Sequence, residues 1–219
     1  MSLCGLVTNA TVHQPNILFL PYSWQHAIYT VNPSDATSPD TLTTPLNKGH
    51  ESMAYLTYVI DHYSSLPSTL AFIHSHRSGF WNAWHTDTPL HDNVYTLENL
   101  QIPFVQHNGY VNLRCNWAPG CGKVPGTNEH ITREVWQEVF NDTSTSPTNS
   151  SNGATSTADP TLAVACCAQF AVSREQVHKR PLEDYMKFRD WIIHTEKSDA
   201  KSGRVMEYLW HVIFGMDPV

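Results

Sequence analysis

Thr69-Leu-Ala-Phe-Ile-His-Ser-His-Arg-Ser-Gly-Phe-Trp-Asn-Ala-Trp-His85 is the stretch whose reading decides the fold. Thr69 to Ile73 is a short apolar, partly β-branched run after Leu66-Pro67-Ser68, which predicts a strand. Side chains alternate along a strand, so Leu70, Phe72, His74 and His76 share one face. Leu70 and Phe72 bury that face, and the two histidines continue it where the strand runs out. Ser78-Gly79 turns the chain, and Phe80, Trp81, Trp84 and His85 follow. Open α/β sheets bind ligands beyond the carboxyl ends of their strands. Imidazoles, Arg77 and indoles gathered there make a candidate site. The competing interpretation is that His74 and His76 only cap a buried strand through hydrogen bonds.

Outward from this strand the chain alternates helical and extended patterns. Gly49 to Ser64 predicts a helix with Met53, Leu56, Ile60 and Tyr63 as its buried stripe. Glu51, Tyr55, Tyr58 and His62 fall on a second stripe. Lys48-Gly-His-Glu51 marks its start, where free backbone N–H groups favour an anion, so Glu51 is either a simple dipole partner or a site residue. Asn16–Trp24 and 27–31 read as strands and 32–45 as a surface loop. Val94 to Leu100 reads as a short helix. Ile102 to Val105 and Tyr110 to Cys115 read as strands joined through the hairpin dipeptide Asn108-Gly109. Ile131 to Phe140 has helical periodicity. Residues 141–160 contain almost only small and polar types and are expected to be a mobile insertion within a single domain, 1–219. Thr161 to Val172 reads as a buried strand. Ser173-Arg-Glu-Gln176 fits a capping box, Pro181 opens a helix to about Glu196, and Gly203 to Phe214 closes the chain as an enclosed helix. On that last helix Arg204, Glu207 and His211 form a polar stripe that needs internal partners.

The bulk numbers bound the function. With 219 residues, 41% hydrophobic and 11% aromatic, the chain can bury a sizeable core without disulfides. A formal charge of −7 argues against nucleic acid as a partner. Thirteen histidines equal the lysines and arginines together, which favours acid–base or metal chemistry. No apolar run approaches a membrane span, and the start lacks a basic n-region and a signal-length apolar run, so a cytoplasmic protein is expected. Of the five cysteines, Cys166 and Cys167 are adjacent, a poor disulfide geometry, and free thiols are expected in the cytosol. Cys115 and Cys121 would pair only in an oxidising compartment.

The runs Asn47–Tyr63, Phe72–Arg77, Ala83–Asp87, Gly109–Trp117, Cys166–Arg174 and Ser202–Gly215 resemble a mostly fungal family of unknown function, domain family 3431, over roughly residues 16–217. The resemblance implies a place in natural-product pathways. A weaker resemblance is to nucleotide-sugar glycosyltransferases, whose metal-holding Asp-x-Asp would align with His74-Ser-His76. Together these give the expected class: α/β, a mixed central sheet flanked by helices in a glycosyltransferase-A-like or Rossmann-like three-layer arrangement.

The leading functional expectation is a cofactor-independent cyclase, isomerase or lyase acting on a small, largely apolar substrate. His74, His76, Arg77, His85 and Glu51 would hydrogen-bond a substrate carbonyl or move protons. Tyr55, Phe80, Trp81, Trp84 and Trp117 would wall the cavity. Asp87, His107, Asn112, Gln169, Glu207 and His211 would supply its polar lining. The alternatives are a His74–His76–His85 metalloenzyme, a metal-dependent glycosyltransferase-like transferase with Glu207 as base, and a non-catalytic binding module.

Overall fold

The computed structural model describes residues 2–3, 24–32, 38, 40–74, 86–116, 131–140 and 162–218. His76, Arg77, Phe80, Trp81, Trp84, His85, Trp117, Cys121, the insertion 141–160 and most of the expected first strand lie outside them. In chain order the described elements are β1 (Ser2–Leu3), β2 (Trp24–Gln25), β3 (Tyr29–Thr30), β4 (Leu42–Thr43), α1 (Glu51–His62), β5 (Thr69–Phe72), α2 (Asn93–Glu98), α3 (Ile102–Asn108), β6 (Tyr110–Asn112), α4 (Arg133–Phe140), β7 (Phe170–Ser173), α5 (Arg174–Val177), α6 (Leu182–His194) and α7 (Asp199–Ile213).

β7 is the centre of a three-stranded sheet in the order β5-β7-β6. Both pairings are antiparallel, with Phe72 opposite Phe170 and Tyr110 opposite Val172. Two short parallel pairs, β1 with β2 and β3 with β4, complete the mixed strand content. The period of two along β5 and β7 sorts the cores. Leu70, Phe72, Phe170 and Val172 join the main core with residues of α1, α6 and α7. Ala71, Ile73 and Ala171 face the other way and join Leu97 of α2 and Val105 of α3. Helices therefore cover both faces of the sheet, and the class is mixed α/β. The main core is aromatic at its centre. The Tyr55 ring lies 4.9 Å from Phe72 and 5.6 Å from Trp210, and Phe170 lies 5.3 Å from Trp210. Pairs of this kind add to plain area burial.

α1 lies where its apolar stripe predicts, but from Glu51 through Val59 every side chain is buried. Both of its stripes are enclosed because the sheet takes one side and α6 and α7 another. Four expectations are corrected. Ile102 to Val105 is not a strand but the start of α3. Pro103 has no N–H for a ladder and suits a first helical turn. Asn108-Gly109 is not a hairpin turn, since Gly109 at φ 82° ends that helix. The predicted strand from Thr161 shrinks to Phe170–Ser173, and the segment before it is irregular, with Cys167 at φ 89° and Ala168 at φ 48°. The closing helix begins at Asp199, four residues before Gly203, because the Ser198 hydroxyl accepts a hydrogen bond from the Lys201 N–H. The capping box holds: the Ser173 hydroxyl accepts from the Gln176 N–H.

Three helix ends meet at Lys48-Gly-His-Glu51. The Lys48 ammonium donates to the carbonyls of Ile193 and Thr195 at the end of α6. Asp199, in the first turn of α7, accepts from the His50 N–H at 3.0 Å, and its second oxygen lies 3.2 Å from His50 Nε2. The anion that the start of α1 favours is thus a carboxylate of this chain. Gly49 sits at φ 78°, and a Cβ there would stand 2.6 Å from Ile192 Cγ2. Gly49→Ala therefore combines left-handed strain with overpacking and is expected to cost about 2–3 kcal/mol in urea unfolding. Unchanged stability would refute this close docking of α1 on α6.

Candidate active site

Three charged groups of α7, Asp199, Arg204 and Glu207, act electrostatically on Glu51. Its place in the first turn of α1 is favoured by the helix dipole, yet its residue is only 9% exposed. Burial, above all, raises its carboxyl from 4.5 to about 8; the charges of Glu207 and Asp199 add to this, while its own backbone N–H and Arg204 oppose it. Glu51 therefore holds a proton at neutral pH. Glu207, on α7, is fixed at both oxygens. Oε1 accepts from the Cys167 backbone N–H at 2.7 Å, and Oε2 lies 2.5 Å from Arg204 Nη1. One carboxyl able to exchange a proton near pH 8 stands in the field of a second that is pinned. Paired carboxyls in unlike surroundings are a recurrent acid–base arrangement.

Cys167 reaches Glu207 through the irregular segment, and there the expectation of free thiols fails. Cys166 and Cys167 are joined by a disulfide. Adjacency alone is a poor disulfide geometry. With the backbone turning through positive φ at Cys167 and Ala168, both sulfurs reach the same side. Cys115 is a free, exposed thiol.

Among the other predicted site residues, His74 lies just beyond β5, so strand alternation stops before it. Its backbone N–H donates to Gln169 Oε1 at 2.6 Å, and its carbonyl accepts from Asn93 Nδ2 at 3.4 Å. Gln169 Nε2 in turn donates to Asn93 Oδ1 at 3.3 Å, which makes a buried amide clamp at the end of the strand. The sequence marks Gln169 but not Asn93, whose only local signal is its place after the helix-capping Asp92. Tyr55 is fully buried in the aromatic core. The Asp87 carboxylate accepts from the Cys115 N–H and from Asn116 Nδ2. Asn112 accepts from the Tyr110 hydroxyl at 3.0 Å. His107 is exposed in the last turn of α3.

His211 lies on α7 one turn beyond Glu207. Its Nε2 faces the Pro218 carbonyl at 3.4 Å, and its buried Nδ1 has no hydrogen-bond partner among the described residues. Burial pushes this imidazole down to about 4. The polar stripe of the closing helix is thus divided. Arg204 and Glu207 form an ion pair, and His211 turns to the chain's end. Arg204, Asp199 and the disulfide complete the site. Arg204 was legible as part of the polar stripe, whereas Asp199 and the disulfide had no local signal. No helix among the described residues is long and apolar enough to cross a membrane.

A family model described as "Protein of unknown function (DUF3431)" matches residues 11–219. No curated protein and no solved structure gives a match.

Proposed function

We propose, for a chain that belongs to the DUF3431 family, a cofactor-independent enzyme that cyclises, isomerises or eliminates within a small, largely apolar substrate. Glu51 is its proton-carrying group and Glu207 the carboxylate that holds the field around it. The single observation behind this reading is the buried Glu51 carboxyl, pushed up to about 8 by burial and by the charge of Glu207, which Arg204 and a backbone N–H hold in place. Glu51 gives its proton to a substrate oxygen as charge develops there, and the resulting carboxylate takes a proton back from the substrate. The composition of an isomerised substrate is then unchanged. General acid–base action of this kind contributes about 10²–10⁴-fold. His74, His76, Arg77 and His85 are assigned to hydrogen-bonding the substrate carbonyl, with Phe80, Trp81, Trp84 and Trp117 as apolar walls. We place the reaction in fungal natural-product metabolism in the cytoplasm. The net charge of −7 makes a nucleic-acid partner unfavourable.

A second reading is a glycosyltransferase-like transferase on a three-layer, glycosyltransferase-A-like framework with Glu207 as base. It is favoured by helices on both faces of the sheet and by a carboxylate on the last helix. One experiment separates the two. Wild-type protein and Glu51→Gln are incubated with a fungal metabolite extract and compared by mass spectrometry. The expected result is consumption of a compound and appearance of an isomer, or of an elimination product, at least about 100-fold slower with Glu51→Gln. A product heavier by a sugar residue would transfer the assignment to the second reading. Equal rates for both proteins, or no conversion by wild type, would contradict the first.

A further inference from the structure

We infer that Cys166, Cys167 and Glu207 form a redox-gated binding site for a soft divalent cation of the zinc or cadmium type. One ligand atom from each, the two Sγ atoms and a Glu207 oxygen, lies within 4.8 Å of the others. The cysteines are 5% and 8% exposed, and the Glu207 side chain is 12% exposed. The carboxylate is held against the cysteine segment by the Cys167 N–H at 2.7 Å. In the oxidised chain each sulfur is bonded to the other, so neither is a thiolate ligand.

Reduction opens the site. Two thiols of the glutathione class give up two electrons and two protons; the Cys166–Cys167 bond breaks, two cysteine thiols form, and the donors leave as their own disulfide. A divalent cation then displaces both thiol protons to solvent and takes two thiolates and one carboxylate. Zn–S bonds of about 2.3 Å at a tetrahedral centre need the sulfurs roughly 3.8 Å apart. The segment can give this separation, because Cys167 and Ala168 lie outside any helix or strand, at positive φ, and no ladder holds them. The charges also close. Two thiolates and a carboxylate are balanced by the cation and by Arg204, which already pairs with Glu207. Thiolate donors select zinc or cadmium over magnesium or manganese. Three protein ligands leave a fourth position open, as in catalytic rather than structural zinc sites. Cys115, exposed and free, lies outside this cluster.

The test uses the full chain with Cys4, Cys115 and Cys121 each replaced by serine. It is reduced with a water-soluble phosphine, desalted without oxygen and titrated with cadmium chloride. Thiolate-to-cadmium absorption and equilibrium dialysis are read, and circular dichroism follows the fold. One cadmium per reduced chain is expected, with none on the oxidised chain. Cys166→Ser and Cys167→Ser should each abolish the absorption, and Glu207→Gln should weaken binding about tenfold or more. Cadmium taken up equally by the oxidised chain, no uptake after reduction, undiminished binding by Glu207→Gln, or loss of the fold on reduction would each overturn the inference. Those results leave the Glu51 assignment standing, because the Glu51 carboxyl is not one of the three ligands.

Discussion

Arg180→Ala is expected to lower the unfolding free energy by about 3–5 kcal/mol, the cost of breaking a buried ion pair on one side. The Arg180 side chain is 3% exposed, and its partner Asp184 is 2% exposed. Nη1 donates to Asp184 Oδ2 at 3.0 Å, Nε to the Ile213 carbonyl at 2.6 Å and Nη2 to the Val212 carbonyl at 3.2 Å. The last two are carbonyls at the end of α7; Val212 also accepts from the Gly215 N–H at 2.9 Å, so the guanidinium adds a second donor there. The guanidinium also lies 5.1 Å from the Phe188 ring centroid. One side chain therefore closes α7, fixes the start of α6 and neutralises a buried carboxylate. Alanine removes all three functions and leaves the Asp184 charge buried, with the half-exposed Lys187 Nζ 3.8 Å away. Arg180→Lys keeps the charge but not the planar fork that spans three acceptors, and should fall between. Urea unfolding measures both. A loss below about 1 kcal/mol for alanine would contradict this role.

Nothing near Arg180 in the sequence announces it. Its carbonyl partners lie 32 and 33 residues later, and locally only the helix-breaking Pro181 is legible. Signals that act over a few residues read well by contrast. The alternation of Leu70 and Phe72, the Met53–Leu56 stripe and the Ser173 cap each express a local period or a single hydrogen bond. The α3 segment misled because Ile102, Phe104 and Val105 favour strands and Asn108-Gly109 favours a hairpin, while the deciding residue was Pro103. Cys166–Cys167 misled because adjacency alone argues against pairing, and the positive φ at Cys167 and Ala168 that accompanies the disulfide has no local signal. Glu51 and Glu207 were both marked as candidates from their helical stripes. Their convergence is tertiary: Gly49 lets α1 approach Ile192, and Gly203 leaves room for the His50 ring, whose Cγ would stand 2.9 Å from an added Cβ.

The second large effect is on pH dependence. The folded chain holds the Glu51 proton up to about pH 8, whereas the unfolded carboxyl releases it near 4.5. Between those values the folded state binds more protons, so stability present below 4.5 is lost as pH rises toward 8. The span is worth on the order of 4–5 kcal/mol as an upper bound. Glu51→Gln cannot ionise. It should match wild type below about pH 4, become clearly more stable above pH 8, and yet turn over at least about 100-fold more slowly. His211 acts in the opposite direction. Its folded value of about 4 lies below the ordinary 6.5, so the unfolded state binds more protons between them. Stability is lost there as pH falls, and His211→Gln should flatten that acid limb. Unfolding midpoints across pH measure both. Parallel curves for wild type and Glu51→Gln would remove the proton from Glu51.

The most direct measurement is a carbon-13 NMR titration of the full chain labelled at its glutamate carboxyls, with Glu51→Gln to assign the signal. One carboxyl is predicted to titrate near pH 8 in wild type and to vanish in the variant. Glutamates that all titrate near their ordinary value would contradict the account.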